Sequence, residues 1–133
     1  MHITLETDYA IRIVDFLAKN NSRFDAGTIA ENTNVPQNFA MKILRKLIAG
    51  KIVTSYKGTK GGYELSADLG ELSVYDVVET MEGTYRFSRC LDGHYNCKRN
   101  ENDLACTYQI AFARISDMVC GELKKLKFNE LAK

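Results

Sequence analysis

Apolar residues recur at intervals of three and four from Glu6 to Asn20. Tyr9, Ile13, Phe16 and Leu17 share one face, with Ala10 and Val14 beside it, and this predicts an amphipathic helix. Asn20-Asn21-Ser22 interrupts the pattern. Asp25 then stands where a side-chain oxygen can cap a short second helix running to about Thr33, which would bury Ile29 and Ala30. Asn34-Val35 makes a turn. Pro36 suits the first position of a third helix, where its missing N–H is not needed. That helix turns Phe39, Ile43, Leu44, Leu47 and Ile48 inward and leaves Gln37, Asn38, Met41, Lys42 and Arg45 for another surface.

Two short strands follow, Ile52–Ser55 and Gly62–Leu65, joined by the tip Tyr56-Lys57-Gly58-Thr59-Lys60-Gly61. Its glycines permit the positive φ of a tight hairpin. Ser73 caps a fourth helix, Val74–Glu82, with Val74, Val77, Val78 and Met81 toward the core, and Gly83 ends it. Leu104, Tyr108, Phe112, Ile115, Val119, Leu123 and Leu126 then recur at helical spacing, giving one long amphipathic helix. The small preceding unit offers that helix little surface, so a second copy of the chain is the expected cover. The predicted fold is mainly α with a small β-hairpin wing: a winged helix-turn-helix plus a long C-terminal dimerisation helix. It divides into a DNA-binding unit (1–83), a cysteine-rich loop (84–106) and a dimerisation helix with its tail (107–133).

Composition narrows the class. Of 133 residues, 45% are apolar, which supports a core, and one proline with nine glycines argues against disorder. No apolar run approaches the roughly 18 residues of a membrane span, and the first residues lead into helix without a signal-peptide layout, so a cytoplasmic protein is expected. The formal net charge of +1 conceals an asymmetry. From Asn32 through Tyr63 there is no acid, while Lys42, Arg45, Lys46, Lys51, Lys57 and Lys60 all fall there. A basic stretch that coincides with a helix-turn-helix and hairpin points to double-stranded DNA. The third helix would enter the major groove, where Gln37 and Asn38 offer bidentate amides and Lys42 and Arg45 reach guanine or phosphate. Tyr56, Lys57, Thr59 and Lys60 on the wing would lie against the phosphate backbone or in the minor groove. No phosphate-binding glycine loop, nucleophile motif or pair of catalytic carboxylates is present, so an enzyme is not expected.

Three of the four cysteines, Cys90, Cys97 and Cys106, lie in one polar run without strand or helix periodicity, separated by six and eight residues. Zinc sites favour short Cys-x2–4-Cys knuckles and dithiol redox sites a Cys-x-x-Cys pair, and neither occurs. Wider spacing suits a larger inorganic core that prefers thiolate sulfur. A cluster takes four ligands. His94 is chemically competent, Asp8 at the start of the first helix is another candidate, and Cys120 reads as a small buried hydrophobe within the long helix.

In this order the parts resemble the IscR/NsrR (Rrf-two) family of bacterial winged-helix regulators along essentially the whole chain. The matching pieces are Thr4-Leu5 before Asp8-Tyr9-Ala10, Thr28-Ile29-Ala30, Leu44-Arg45-Lys46-Leu47 and the wing from Ser55 to Tyr63. The helix end from Val77-Val78-Glu79 to Glu82-Gly83 and the three-cysteine loop complete the set. The resemblance implies a homodimeric transcription regulator, often a repressor, whose promoter binding depends on a [2Fe–2S] or [4Fe–4S] cluster held by Cys90, Cys97 and Cys106. Members with a histidine as fourth ligand place it where this chain has Gln109. Members similar to nitric-oxide sensors have an aspartate at the place of Asp8, contributed by the partner subunit. Asp8 is therefore the expected fourth ligand ahead of His94, with [4Fe–4S] preferred. Two features depart from the family pattern: the eight residues before Cys106, and Lys51 where a glycine often precedes the wing. The expected signal is nitric oxide, redox state or iron and cluster supply. The rival readings are a cluster-free thiol switch on the same fold and a protein-interaction module.

Overall fold

The computed structural model describes residues 2–95, 97–98 and 106–132. Helix α1 spans Leu5–Asn20 and starts at Thr4, whose Oγ1 accepts the Thr7 N–H at 3.2 Å. Its buried stripe centres on Ala10, Ile13, Val14 and Leu17. Tyr9 and Phe16 stand at the edges of that stripe rather than at its centre. Tyr9 meets Phe39 edge-on at 6.0 Å and Phe16 packs on Phe24 at 4.8 Å. Large rings fit the rim, where two elements diverge, better than the axis, where they touch. The helix ends at Asn21 in the left-handed conformation.

Helix α2, Ala26–Thr33, is capped by Asp25 as expected, and Asn34 at φ 54° closes it. Helix α3, Gln37–Ala49, begins one residue later than the sequence suggests: Pro36 is the N-cap, and its carbonyl accepts the Ala40 N–H at 2.9 Å. Ala40, Ile43, Leu44 and Leu47 of α3 are buried against α1, α2 and the fourth helix, completing a continuous core.

The wing is the antiparallel pair β1, Val53–Tyr56, and β2, Gly62–Leu65, with Val53 opposite Leu65 and Tyr56 opposite Gly62. β1 lies one residue beyond its predicted position. Ile52 is instead buried ahead of the strand, where its carbonyl accepts the N–H groups of Ser66 and Ala67. Phe24 adds a bridge outside β2 through a reciprocal pair with Tyr63, at 3.1 and 2.8 Å. Lys51 has φ 62°, the left-handed conformation that favours glycine, so the residue that departs from the family pattern carries the turn a glycine would ease. Gly50 serves a different need: a Cβ there would come within 2.6 Å of the Thr80 side chain, so its lack of a side chain lets α3 approach the fourth helix.

Helix α4, Val74–Glu82, opens on a full capping box. The Ser73 hydroxyl accepts the Asp76 N–H and the Asp76 carboxylate accepts the Ser73 N–H at 2.8 Å. Helix α5, Thr107–Lys125, follows the cysteine segment; the expected stripe position Leu104 lies outside the described residues. The chain then returns to the winged unit. Val74 N–H donates to the Leu126 carbonyl at 2.9 Å, Phe128 N–H to Leu72 at 3.1 Å, and Lys127 Nζ to the Glu71 carbonyl at 3.0 Å. A short helix α6, Phe128–Leu131, follows, and Phe128 is buried in the core beside α1. Sequence reading treats this stretch as a tail.

Helix α5 stands outside that core. Of its residues only Ser116 is buried, while Tyr108, Ile110 and Met118 are each about 60% exposed. Phe112, Ile115, Val119 and Leu123 are half-buried against the body. No described helix is long and apolar enough to cross a membrane.

Candidate nucleic-acid interface and cysteine loop

The core-facing stripe of α3 fixes what its opposite face presents. Gln37, Asn38, Met41, Lys42 and Arg45 are all exposed, as the periodicity requires. Lys42 is not a free cation. Its Nζ lies 2.8 Å from Oε1 of Glu6, and Lys46 Nζ lies 3.0 Å from Oε2 of the same carboxylate. These two lysines, Lys42 first, hold the Glu6 carboxyl below the usual carboxylate range. Among the described residues Arg45, Lys57 and Lys60 have no side-chain ion partner.

The wing carries its cations at the tip. Lys57, Gly58, Thr59 and Lys60 are exposed, with Gly58 at φ 94° and the Gly61 N–H donating back to its carbonyl at 3.0 Å. Tyr56 is committed beneath the tip: the Arg23 guanidinium lies 3.4 Å from its ring centroid. The same guanidinium stands 3.4 Å from the Glu64 carboxylate and donates to the Lys60 carbonyl at 3.5 Å. Arg23 thus joins both strands and the tip from outside the hairpin. Neither Arg23 nor Glu6 is found by reading motifs, because their partners lie about forty residues away and only the folded chain brings them together.

In the cysteine segment, Ser88 opens a single 3-10 turn, Arg89–Leu91, containing Cys90. The Cys90 carbonyl accepts a hydrogen bond from Gln109 Nε2 at 3.0 Å, so Gln109 ties this turn to the first turns of α5. A second tie lies one element earlier, where Phe87 N–H donates to the Ser116 hydroxyl at 2.7 Å. Cys90, Cys97, Cys106 and Cys120 are free and half-buried. His94 is exposed, and its N–H donates to Asp92 at 3.1 Å. Asp8 faces its own helix, with Oδ2 2.8 Å from Arg12. Residues 99–105, between Cys97 and Cys106, lie outside the described set.

Three unpaired thiols in one segment are the soft donors that iron–sulfide cores take, and on that chemistry they fit such a group. Their placement does not complete a site: among the described residues no three His, Cys, Asp or Glu side chains gather as metal ligands. Asp8 is engaged by Arg12 and, among the described residues, does not join the cysteines in a group of three ligands.

Comparison with known proteins places this arrangement. The chain is 29% identical over 99 residues to protein aau3 of Rhizobium meliloti, covering 73% of this chain but 64% of that protein, so it spans a little under two thirds of that relative. It is 29% identical over 98 residues to the regulator NsrR of Bacillus subtilis, covering 72% and 67% of the two chains. In fold it is similar to the solved structure of CymR, the global cysteine regulator of B. subtilis, with a TM-score of 0.75 and 21% identity over 99% of this chain and 96% of that one. It is equally similar to IscR of T. potens, with a TM-score of 0.75 and 16% identity over 98% and 86% of the two chains. A family model described as Rrf2, iron-dependent transcriptional regulator, matches residues 3–133. Set beside a helix-turn-helix and a two-stranded hairpin wing, that match means that the chain belongs to the Rrf2 family, whose members are transcriptional regulators and not enzymes.

Proposed function

We propose that this chain represses transcription by binding operator DNA as a homodimer in the cytoplasm, and that an iron–sulfur cluster held by Cys90, Cys97 and Cys106 sets its affinity. The observation that carries the DNA reading is the pairing of an exposed Gln37, Asn38, Arg45 face on α3 with an unpaired cationic tip at Lys57 and Lys60. Amides on α3 read base edges, and the wing cations meet phosphate. The exposed apolar side chains of α5 support dimerisation, since a second copy would cover Tyr108, Ile110 and Met118.

The cluster, when bound, would supply a centre reactive toward nitric oxide and oxidants, [4Fe–4S] being preferred over [2Fe–2S]. Cys90, Cys97 and Cys106 would hold it, with Asp8 of the partner copy as fourth donor. Gln109 gives the chain's own contribution to signalling. It links the Cys90 turn to α5, so a change in that turn reaches the helix that sets the separation of the two recognition helices. Half-sites one turn apart require readers about 34 Å apart, so a small rotation between copies costs affinity.

Anaerobic purification tests this reading. The native chain should carry iron and acid-labile sulfide, a Cys97→Ser variant should lose both, and a mobility shift on the gene's own upstream DNA should weaken on cluster loss. A colourless, iron-free product that cannot be reconstituted removes the cluster. The second reading, a thiol switch through Cys90, Cys97 or Cys106, is favoured by the free thiols and by the likeness in fold to the cysteine regulator CymR. Iron and sulfide analysis separates it from the first.

The wing makes its own prediction. Lys57→Ala with Lys60→Ala should weaken binding to all duplex sequences alike and flatten the slope of log affinity against log salt by about one unit for each phosphate no longer neutralised. An unchanged slope, measured by fluorescence anisotropy across a salt series, would remove these lysines from the interface.

A further inference from the structure

Glu6 has no part in the interface just described, yet it occupies two cations of the recognition helix at once. Lys42 and Lys46 are four residues apart on α3, so their side chains rise from adjacent turns of one flank. Glu6 comes from the first turn of α1, and each of its carboxylate oxygens takes one lysine, at 2.8 and 3.0 Å. Two ammonium groups converging on one oxyanion is also the arrangement by which neighbouring lysines grip a DNA phosphate. The carboxylate is the more covered member, its side chain 27% exposed against 58% for Lys42, so the lysine lies on the solvent side of the pair.

We propose that Glu6 is an internal competitor for the DNA backbone: its carboxylate occupies Lys42 and Lys46 in the free protein, and phosphate binding must take them from it. This inference rests on the DNA-binding reading above. Exposed ion pairs of this kind contribute little to stability, so the exchange is not prohibitive. Its cost nevertheless falls on every duplex alike, because it involves phosphate and not base edges. Glu6 therefore lowers the affinity for operator and non-operator DNA by the same factor and leaves their ratio to Gln37, Asn38 and Arg45, so the base contacts carry a larger share of the affinity that remains. Asp8 does not compete for the same lysines, being held by Arg12 on its own helix. The capping pair Thr4 and Thr7 fixes the turn from which Glu6 projects, their hydroxyls 2.9 Å apart.

The test measures binding of the full chain to a short mixed-sequence duplex by fluorescence anisotropy over a salt series. Wild type is compared with Glu6→Gln, with Lys42→Met/Lys46→Met, and with the triple variant. Glutamine keeps the length and helix preference of glutamate and removes its charge, and thermal melts check that all four proteins are folded. Glu6→Gln is expected to bind roughly three- to ten-fold more tightly at low salt, with a salt slope steeper by up to about two units as both lysines become available to phosphate. In the lysine-free background the same substitution should change neither quantity. Equal affinity and slope for wild type and Glu6→Gln would overturn the competition while leaving DNA binding intact. An equal gain with and without the lysines would also overturn it, because removal of an acid anywhere near the duplex would then suffice. Failure of every form to bind duplex would overturn both this inference and the reading beneath it.

Discussion

Phe128→Ala is expected to lower stability by about 3–5 kcal/mol, seen as a fall of roughly 10 °C or more in the melting temperature. The ring is 1% exposed, inside the core that α1 and α4 share, and it is the largest of the fully buried side chains. Its removal leaves a cavity that the surroundings cannot readily close, because the backbone on either side is fixed by the pairs Leu126–Val74 and Phe128–Leu72. Phe128→Leu should retain much of the stability, because it reduces the volume but keeps the position apolar. A shift of only a degree or two for Phe128→Ala would mean that the segment after α5 is not docked in solution.

Gly62→Ala should act at the wing with comparable force. Gly62 has φ 142°, in a region that side-chain-bearing residues rarely enter, and an added Cβ would stand 2.8 Å from the Phe24 carbonyl oxygen. The obstacle is backbone, so relief requires parting the reciprocal Phe24–Tyr63 pair that holds the hairpin to the body. A cost of about 3 kcal/mol is expected from the combined backbone strain and overlap, accompanied by weaker binding to every duplex. Gly58→Ala is the informative comparison. Its φ is also positive, but nothing lies within 4 Å of the added atom, so it should cost less and leave the wing attached. Equal effects at the two positions would show that conformation alone, and not the approach of Phe24, makes the glycine necessary.

What can be read beforehand depends on whether the cause is local. The helices α1 and α3, the Asp25 and Ser73 caps and the β2 strand follow from neighbours within a turn or two and are legible beforehand. The packing nevertheless moves the rings of Tyr9, Phe16 and Phe39 from the expected apolar faces to their half-buried edges. Phe128 escapes notice because a lone aromatic in a polar tail has no period to betray it; its burial depends on the pairing of residues 126–128 with 72–74. Arg23 and Glu6 escape for the same reason. The left-handed turn at Lys51 is hidden by its side chain, since a lysine gives no sign of the conformation that a glycine would advertise. At the cysteines, residue type announces soft-donor chemistry, but assembling such a site is a tertiary event. The described residues of one chain do not complete it.

The grip of Arg23 on the hairpin bears on how readily the protein could engage a nucleic acid. A two-stranded ribbon alone is marginally stable in water, and ordering it during association would subtract the lost conformational entropy from the affinity. Here the ring of Tyr56, the carboxylate of Glu64 and the carbonyl of Lys60 all converge on one guanidinium. Much of that freedom is therefore already gone before any encounter, and the tip arrives preorganised. Only the lysine side chains are left to settle.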